Sequence, residues 1–270
     1  MDSQRFLAIT DRYQGLSVAV LGDFCLDRYL EIDSSKRETS LETGLPVYNV
    51  VNVRAQPGGA GTIVNNLVAL GAGTILPVGF VGEDGEGYEL SNALEHLAGV
   101  RVEHLVRTGE RRTFTYCKPL VLDPPKPPVE LNRLDLKNWT PTPEAVQDIL
   151  VDQLKKVAAC VDAIIVLDQV DIADTGVVTR PLLAALGSVA QAKPGLLILA
   201  DSRRGLRGFP PVVFKMNAAE LAALTGADGE LSHDQVEAAA AALAKQNGRS
   251  VFVTLAARGM LGAAASGKAD

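Results

Sequence analysis

Hydrophobic positions along this chain follow two rhythms. Ser17–Gly22 (SVAVLG) is a continuous apolar run closed by glycine, the pattern of a strand buried on both faces in a parallel sheet. Residues 46–53 alternate more and predict a strand of a less buried sheet. Residues 74–80, 102–106 and 113–121 are also strand-like. Between them, residues 60–70 carry apolar side chains at helical spacing with Gly71 as a stop, and residues 86–97 predict a second helix. Residues 124–143 contain six prolines and are expected to hold no regular element.

A steadier alternation follows. Helices are predicted over 144–158, 177–191, 217–225 and 232–246, the last with Ser232 as N-cap. Strands are predicted over 163–167, 196–200, 212–216 and 250–255. Strands alternating with helices imply right-handed βαβ units and a doubly wound, mostly parallel α/β sheet flanked by helices. The β-rich stretches within about 28–56 and 101–122 break the alternation and predict a small separate sheet, a lid, on one domain spanning 1–270.

Composition narrows the function classes. The chain has 270 residues, 47% of them hydrophobic and 21% charged, enough for one large ordered core. A net charge of −6 with no basic stripe argues against nucleic-acid binding. Arg203, Arg204 and Arg207 cluster, which fits a solvated turn or a small-anion contact. The three cysteines, Cys25, Cys117 and Cys160, are scattered with no Cys/His cluster, so neither a disulfide framework nor a zinc site is expected. No apolar run of about 18 residues occurs and the N-terminus is charged. No membrane span and a cytoplasmic location are expected.

Four segments carry candidate chemistry. Gly22-Asp23-Phe24-Cys25-Leu26-Asp27 follows the first strand, where open α/β sheets bind ligands, and its two carboxylates could accept hydrogen bonds from a polyol; a capped turn is the plainer reading. Gly58 and Gly59 open the helix bearing Asn65 and Asn66, allowing close backbone approach to a polar ligand. Asn217 and Glu220, after Lys215, form an N-cap and N3 pair that is close to a capping box. Val253 to Met260 reads as strand, turn and strand, with Gly259 serving the turn.

In this order the four segments resemble the ribokinase-like (PfkB-type) carbohydrate kinases. Members open with G-D-x-x-x-D, here Gly22 to Asp27, continue with a Gly-Gly pair and helix, and later show N-x-x-E and V-T-x-G-x-x-G. Here these are GGAGTIVNNLVALGA, Asn217 to Glu220 and VTLAARG. GDFCLDRY, ETGLPVYNV, RAQPGGAGTIVNNLVALGA, ELNRLD, Asp168 after DAIIVL, and ADSRRG resemble the heptose-phosphate kinase branch.

The resemblance implies ATP-dependent phosphorylation of a sugar or sugar-phosphate hydroxyl, with magnesium. Asp27, Gly58, Gly59 and Asn66 would contact the sugar, with Asp168 and Asp201 near it at the mouth of the sheet. Lys215, Asn217, Glu220, Thr254 and Gly259 would serve the nucleotide, Glu220 on the magnesium. It also implies pairing of lids in a homodimer. The family's G-A-G-D, whose Asp is the base, does not occur here, so the base is expected beyond Asp270 and the chain is expected to be a truncated, inactive body. A near miss at 226–229 is expected to be a turn, as is Gly82 to Gly85. Thr62 replaces a frequent Asn. Ala256 replaces a glycine, and since alanine resists positive φ, the turn there is expected to differ. The competing reading is a non-catalytic sugar-binding or regulatory protein. A dehydrogenase is disfavoured because no G-x-G-x-x-G follows the first strand.

Overall fold

The computed structural model describes residues 2–227 and 229–269. A short helix, α1 (Ser3–Thr10), precedes β1 (Ser17–Gly22) and β2 (Phe24–Asp33). Two-residue strands β3 (Glu38–Thr39) and β4 (Pro46–Val47) pair with each other, and β5 (Val50–Gly59) runs directly into α2 (Ala60–Ala69). Next come β6 (Thr74–Gly82), α3 (Gly85–Glu95), β7 (Leu105–Thr108) and β8 (Phe114–Leu122), then β9 (Val129–Glu130) and β10 (Leu134–Leu136). The second half alternates: α4 (Glu144–Ala158), β11 (Ala163–Asp168), α5 (Arg180–Ala192), β12 (Leu197–Ser202), β13 (Val213–Asn217), α6 (Ala218–Thr225), α7 (His233–Asn247), β14 (Val251–Thr254) and β15 (Met260–Ala263).

Eight strands form the central sheet in the order β15-β14-β13-β12-β11-β1-β6-β7, parallel except for β15 on β14. Residue alternation along single strands shows why both faces are covered. In β6, Leu76, Val78 and Phe80 enter one core, whereas Ile75 and Val81 enter the other. The first core takes Val146, Leu150 and Leu154 of α4, Leu182 and Leu186 of α5, and Val236, Ala240 and Ala244 of α7, each set at helical spacing. The second takes Val64 of α2 and Leu90 and Leu94 of α3. This is the doubly wound architecture expected from the alternation.

A second sheet, β10-β8-β2-β5 with β9 on β8, stands apart from the first. β2 leaves β1 with only Asp23 between them, so the two sheets share a nearly continuous chain. Its edge strand β5 exposes Val50, Val51 and Val53. Leu105–Thr108 belongs instead to the central sheet, on β6.

Three expectations change. The 124–143 stretch does hold two short strands, because its prolines stop at Pro128 and resume at Pro141, leaving amides free to pair with β8. Helix α5 begins at Arg180 rather than 177, since the Val177 amide is committed to the Asp23 carboxylate and Pro181 suits a first turn. Ala256 takes the left-handed conformation (φ 52°) that alanine was expected to resist, so this turn carries backbone strain. Ala256→Gly is therefore expected to raise the unfolding free energy by about 0.5–1 kcal/mol in urea titration, where Ala→Gly elsewhere lowers it. A lower stability would remove the argument for strain.

Candidate functional site

Order in the central sheet reverses between β1 and β11, whose connections leave in opposite directions, and ligands of open α/β sheets bind at such a point beyond the carboxyl ends of strands. A cleft of about 420 Å³ opens there, roofed by the second sheet. Asp27 of β2 and Tyr116 of β8 reach it from above with Arg133. Gly59, Thr62 and Ile63 come from the start of α2. Leu167, Gln169, Asp201, Arg203, Lys215, Asn217, Glu220 and Thr254 lie at or near the ends of β11 to β14.

The carboxylates of this cleft are already partnered. Lys118 of β8 lies 3.2 Å from Asp27, and Lys215 Nζ donates to Asp201 at 2.7 Å across β12 and β13. Glu220 and Asn217 form the reciprocal capping box that the spacing announced. The Asn217 amide donates to Glu220 Oε2 at 2.7 Å, and the Glu220 amide to Asn217 Oδ1 at 2.8 Å. Thr254 Oγ1 donates to the Met216 carbonyl at 3.4 Å. Among the described residues no cluster of three or more His, Cys, Asp or Glu could hold a metal alone. Asp201 and Glu220 nevertheless open onto one cleft, and magnesium commonly takes one or two carboxylates plus phosphate oxygens and water.

Seven of the eleven residues to which the resemblance gives a site role thus line one cleft: Asp27, Gly59, Asp201, Lys215, Asn217, Glu220 and Thr254. Gly58 lies behind it, where a Cβ would sit 2.8 Å from the Asp27 carboxyl carbon. Asn66 lies on the exposed side of α2, and Gly259 occupies the β14–β15 turn at φ 90°; neither lines the cleft.

Asp168 is fully buried beneath the cleft. Its Oδ2 accepts from Ser202 Oγ at 2.8 Å and Arg204 at 2.7 Å, while Oδ1 has no partner. Burial pushes its carboxyl up despite those bonds.

Asp23 is not available to a polyol. It is fully buried, and its two oxygens accept the Val177 and Gln169 amides at 2.7 and 2.8 Å. Burial first, and then the Asp168 charge, push its carboxyl up to about 7 against the pull of those amides. The Gly82 to Gly85 segment is a structural turn: Asp84 caps α3 through the Gly87 amide and accepts the Thr113 amide and hydroxyl. Asp228, in the 226–229 near miss, lies outside the described residues.

Sequence reading missed Tyr116, Arg133 and Gln169 as lining residues. It also left the arginine cluster as a turn or an anion contact, and the structure separates the three. Arg203 lines the cleft, Arg204 pairs with Asp168, and Arg207 bonds the carbonyls of Ala223 and Leu224 near the end of α6. A legible signal for Arg133 was the alternation Arg133, Asp135, Lys137, which puts three charges on one strand face.

No protein-family model matches the chain. The Bifunctional protein HldE of Azorhizobium caulinodans is 31% identical over 244 residues, covering 90% of this chain and 48% of that protein. Bifunctional protein HldE of Hyphomonas neptunium is 29% identical over 260 residues, covering 96% and 51%. The chain thus spans about half the length of the curated relatives it matches. A putative phosphofructokinase from Staphylococcus aureus superimposes with a TM-score of 0.65 at 16% identity, over 92% of this chain and 74% of that one. Phosphofructokinase-2 from Escherichia coli in complex with fructose-6-phosphate gives 0.62 at 16%, over 94% and 78%. Arabidopsis thaliana ribokinase complexed with ribose and ATP gives 0.57 at 19%, over 94% and 77%. At those identities the solved structures show a shared fold.

Proposed function

We propose that this chain is a ribokinase-like carbohydrate kinase and that its cleft binds a sugar phosphate of the heptose-phosphate class beside ATP, for phosphoryl transfer to a sugar hydroxyl. The observation that carries this reading is the cleft itself, which gathers three carboxylates and three cations between a roofing sheet and the ends of parallel strands. Asp27 is suited to accept sugar hydroxyls, with the Gly59 backbone close by. Arg133 and Arg203 are suited to the acceptor's phosphate, since guanidinium groups bind phosphate through several parallel donors. Lys215 and the amides at the start of α6 face the transferred phosphates, Glu220 would hold magnesium, and Thr254 lies toward the nucleotide. A magnesium ion there would spread the charge of the transferred group. The named ligands of two structural neighbours, fructose-6-phosphate in one and ribose with ATP in the other, support the pairing of a sugar-type acceptor with a nucleotide.

No carboxylate of the cleft is proposed as the proton acceptor for the attacking hydroxyl. Asp27 and Asp201 are held by lysines and Glu220 by its own helix cap, which leaves them better placed to bind than to take a proton. Calorimetric titration of this chain is expected to show binding of heptose or hexose phosphate, with the unphosphorylated sugar weaker by about tenfold or more for a lost charged contact. Binding of neither sugar nor sugar phosphate would sink the reading. If the chain bound sugar phosphate but transferred no phosphate from ATP, it would instead be a sugar-binding protein.

A further inference from the structure

β10 is one of the two edge strands of the roofing sheet. Asp135 within it, directly opposite Tyr116 of β8, alternates with Arg133 just before it and Lys137 just after it. The Arg133 guanidinium lies over the Tyr116 ring, 4.7 Å from its centre. It also grips Asp135 with both Nε and a terminal nitrogen, each at 2.7 Å. Lys137 Nζ is 4.0 Å from the same Asp135 oxygen that the Arg133 terminal nitrogen holds. On its other side it donates to Asp171 at 2.8 Å. Asp171 lies two residues beyond Gln169, in the loop after β11 that forms part of the cleft wall.

Four charges therefore alternate in sign from the cleft to the core: Arg133, Asp135, Lys137, Asp171. We infer that Lys137 and Asp171 act as a latch between the roofing sheet and the core, and that they position Arg133 through Asp135. None of this is needed to form β10, whose backbone is already paired with β8. The latch fixes where the edge of the roof stands over the cleft. The Asp135 grip and the Tyr116 face fix the plane of the guanidinium, leaving its remaining N–H groups for an anion. The inference rests on the sugar-phosphate reading of the cleft. Lys137 and Asp171 do not line that cleft, so they are positioning residues.

Asp171 is largely exposed, so the pair is screened and its effect is modest. Lys137→Gln and Asp171→Asn are each expected to weaken hexose-phosphate binding about two- to fivefold, the range of a surface ion pair. The unphosphorylated sugar should bind as before, and the double variant should be no worse than either single one. Lys137→Arg should restore affinity. An equal loss for both sugars, additive losses or no loss would overturn the latch. A second readout is independent of the acceptor. The Arg133 Nε–H should exchange slowly with water by nuclear magnetic resonance, and faster in Lys137→Gln and Asp171→Asn. Unchanged exchange in both variants would overturn the positioning of Arg133 even if no sugar phosphate binds. If instead the unaltered chain fails to prefer the phosphorylated sugar, the cleft reading falls and the exchange result alone decides the latch.

Discussion

At pH 5, Asp23→Ala is expected to unfold about 3 kcal/mol more easily than the unaltered chain. Its carboxylate satisfies two buried amides on separate segments, Gln169 just after β11 and Val177 just before α5. Each buried donor left without a partner costs about 1–3 kcal/mol. In a chain of this size that lowers the melting temperature by roughly 6–12 °C. Opposing this, Asp23 is a buried acid raised to about 7 from 3.8. An acid raised on folding stabilises most below its unfolded value, and that contribution is lost as pH rises through the folded value. The margin between the unaltered chain and Asp23→Ala should therefore shrink between about pH 4 and pH 7 and level off above. Urea unfolding at pH 5 and pH 8 measures it. A margin that widened with pH, or stayed under about 1 kcal/mol throughout, would show that the two amides find other partners.

The second large effect is on binding. Asp27→Asn keeps the side-chain shape but removes the charge and one acceptor oxygen. Hydrogen bonds to a charged partner are worth about 1.5–3 kcal/mol, so losing one hydroxyl contact and the charge behind the other predicts roughly a hundredfold weaker sugar affinity. Gly58→Ala offers an independent route to the same carboxylate. Its Cβ would meet the Asp27 carboxyl atoms at 2.8, 2.9 and 3.1 Å, so the side chain must turn away while the backbone stays. About a tenfold loss of affinity, of the size of one hydrogen bond, is expected with a nearly unchanged melting temperature. Calorimetry and thermal unfolding on both variants decide the point. If Asp27→Asn bound sugar within about threefold of the unaltered chain, Asp27 would serve only its ion pair with Lys118.

Much of the fold was readable because buried parallel strands announce themselves. Ser17–Gly22 and the helix-strand alternation after residue 144 are apolar runs of the right length between glycines and caps, and they need no long-range information. The capping pair at Asn217 and the N-cap at Ser232 were equally local. What escaped was non-local. β2 looks like a turn with two acids because Asp27, Arg28 and Glu31 interrupt its apolar residues, and it becomes a strand only by pairing with β5 and β8. Asp23 and Asp27 look alike in sequence, yet one ends up under the sheet and the other over the cleft. The aromatic face under Arg133 was hidden because the Tyr116 ring comes from another strand. Site residues carried by strand ends and caps were legible. Those brought in by the roofing sheet depended on its register.

The join between the two sheets has a mechanical consequence. Two of the chain's crossings between the sheets lie at Asp23, between β1 and β2, and at Gly59, where β5 runs into α2. These points touch, since the Ala60 amide donates to the Asp23 carbonyl at 2.9 Å. Both long strands thus pivot at nearly one place, like a lever whose fulcrum is the cleft wall. Ten residues of strand reach about 30 Å, so a rigid tilt of about 10° would sweep the far end by roughly 5 Å. The same tilt would move Asp27, four residues from the pivot, by only about 2 Å. Forces applied at the distal edge would therefore reach the cleft as small, amplified-in-strength displacements, as load does on the short arm of a pair of tongs.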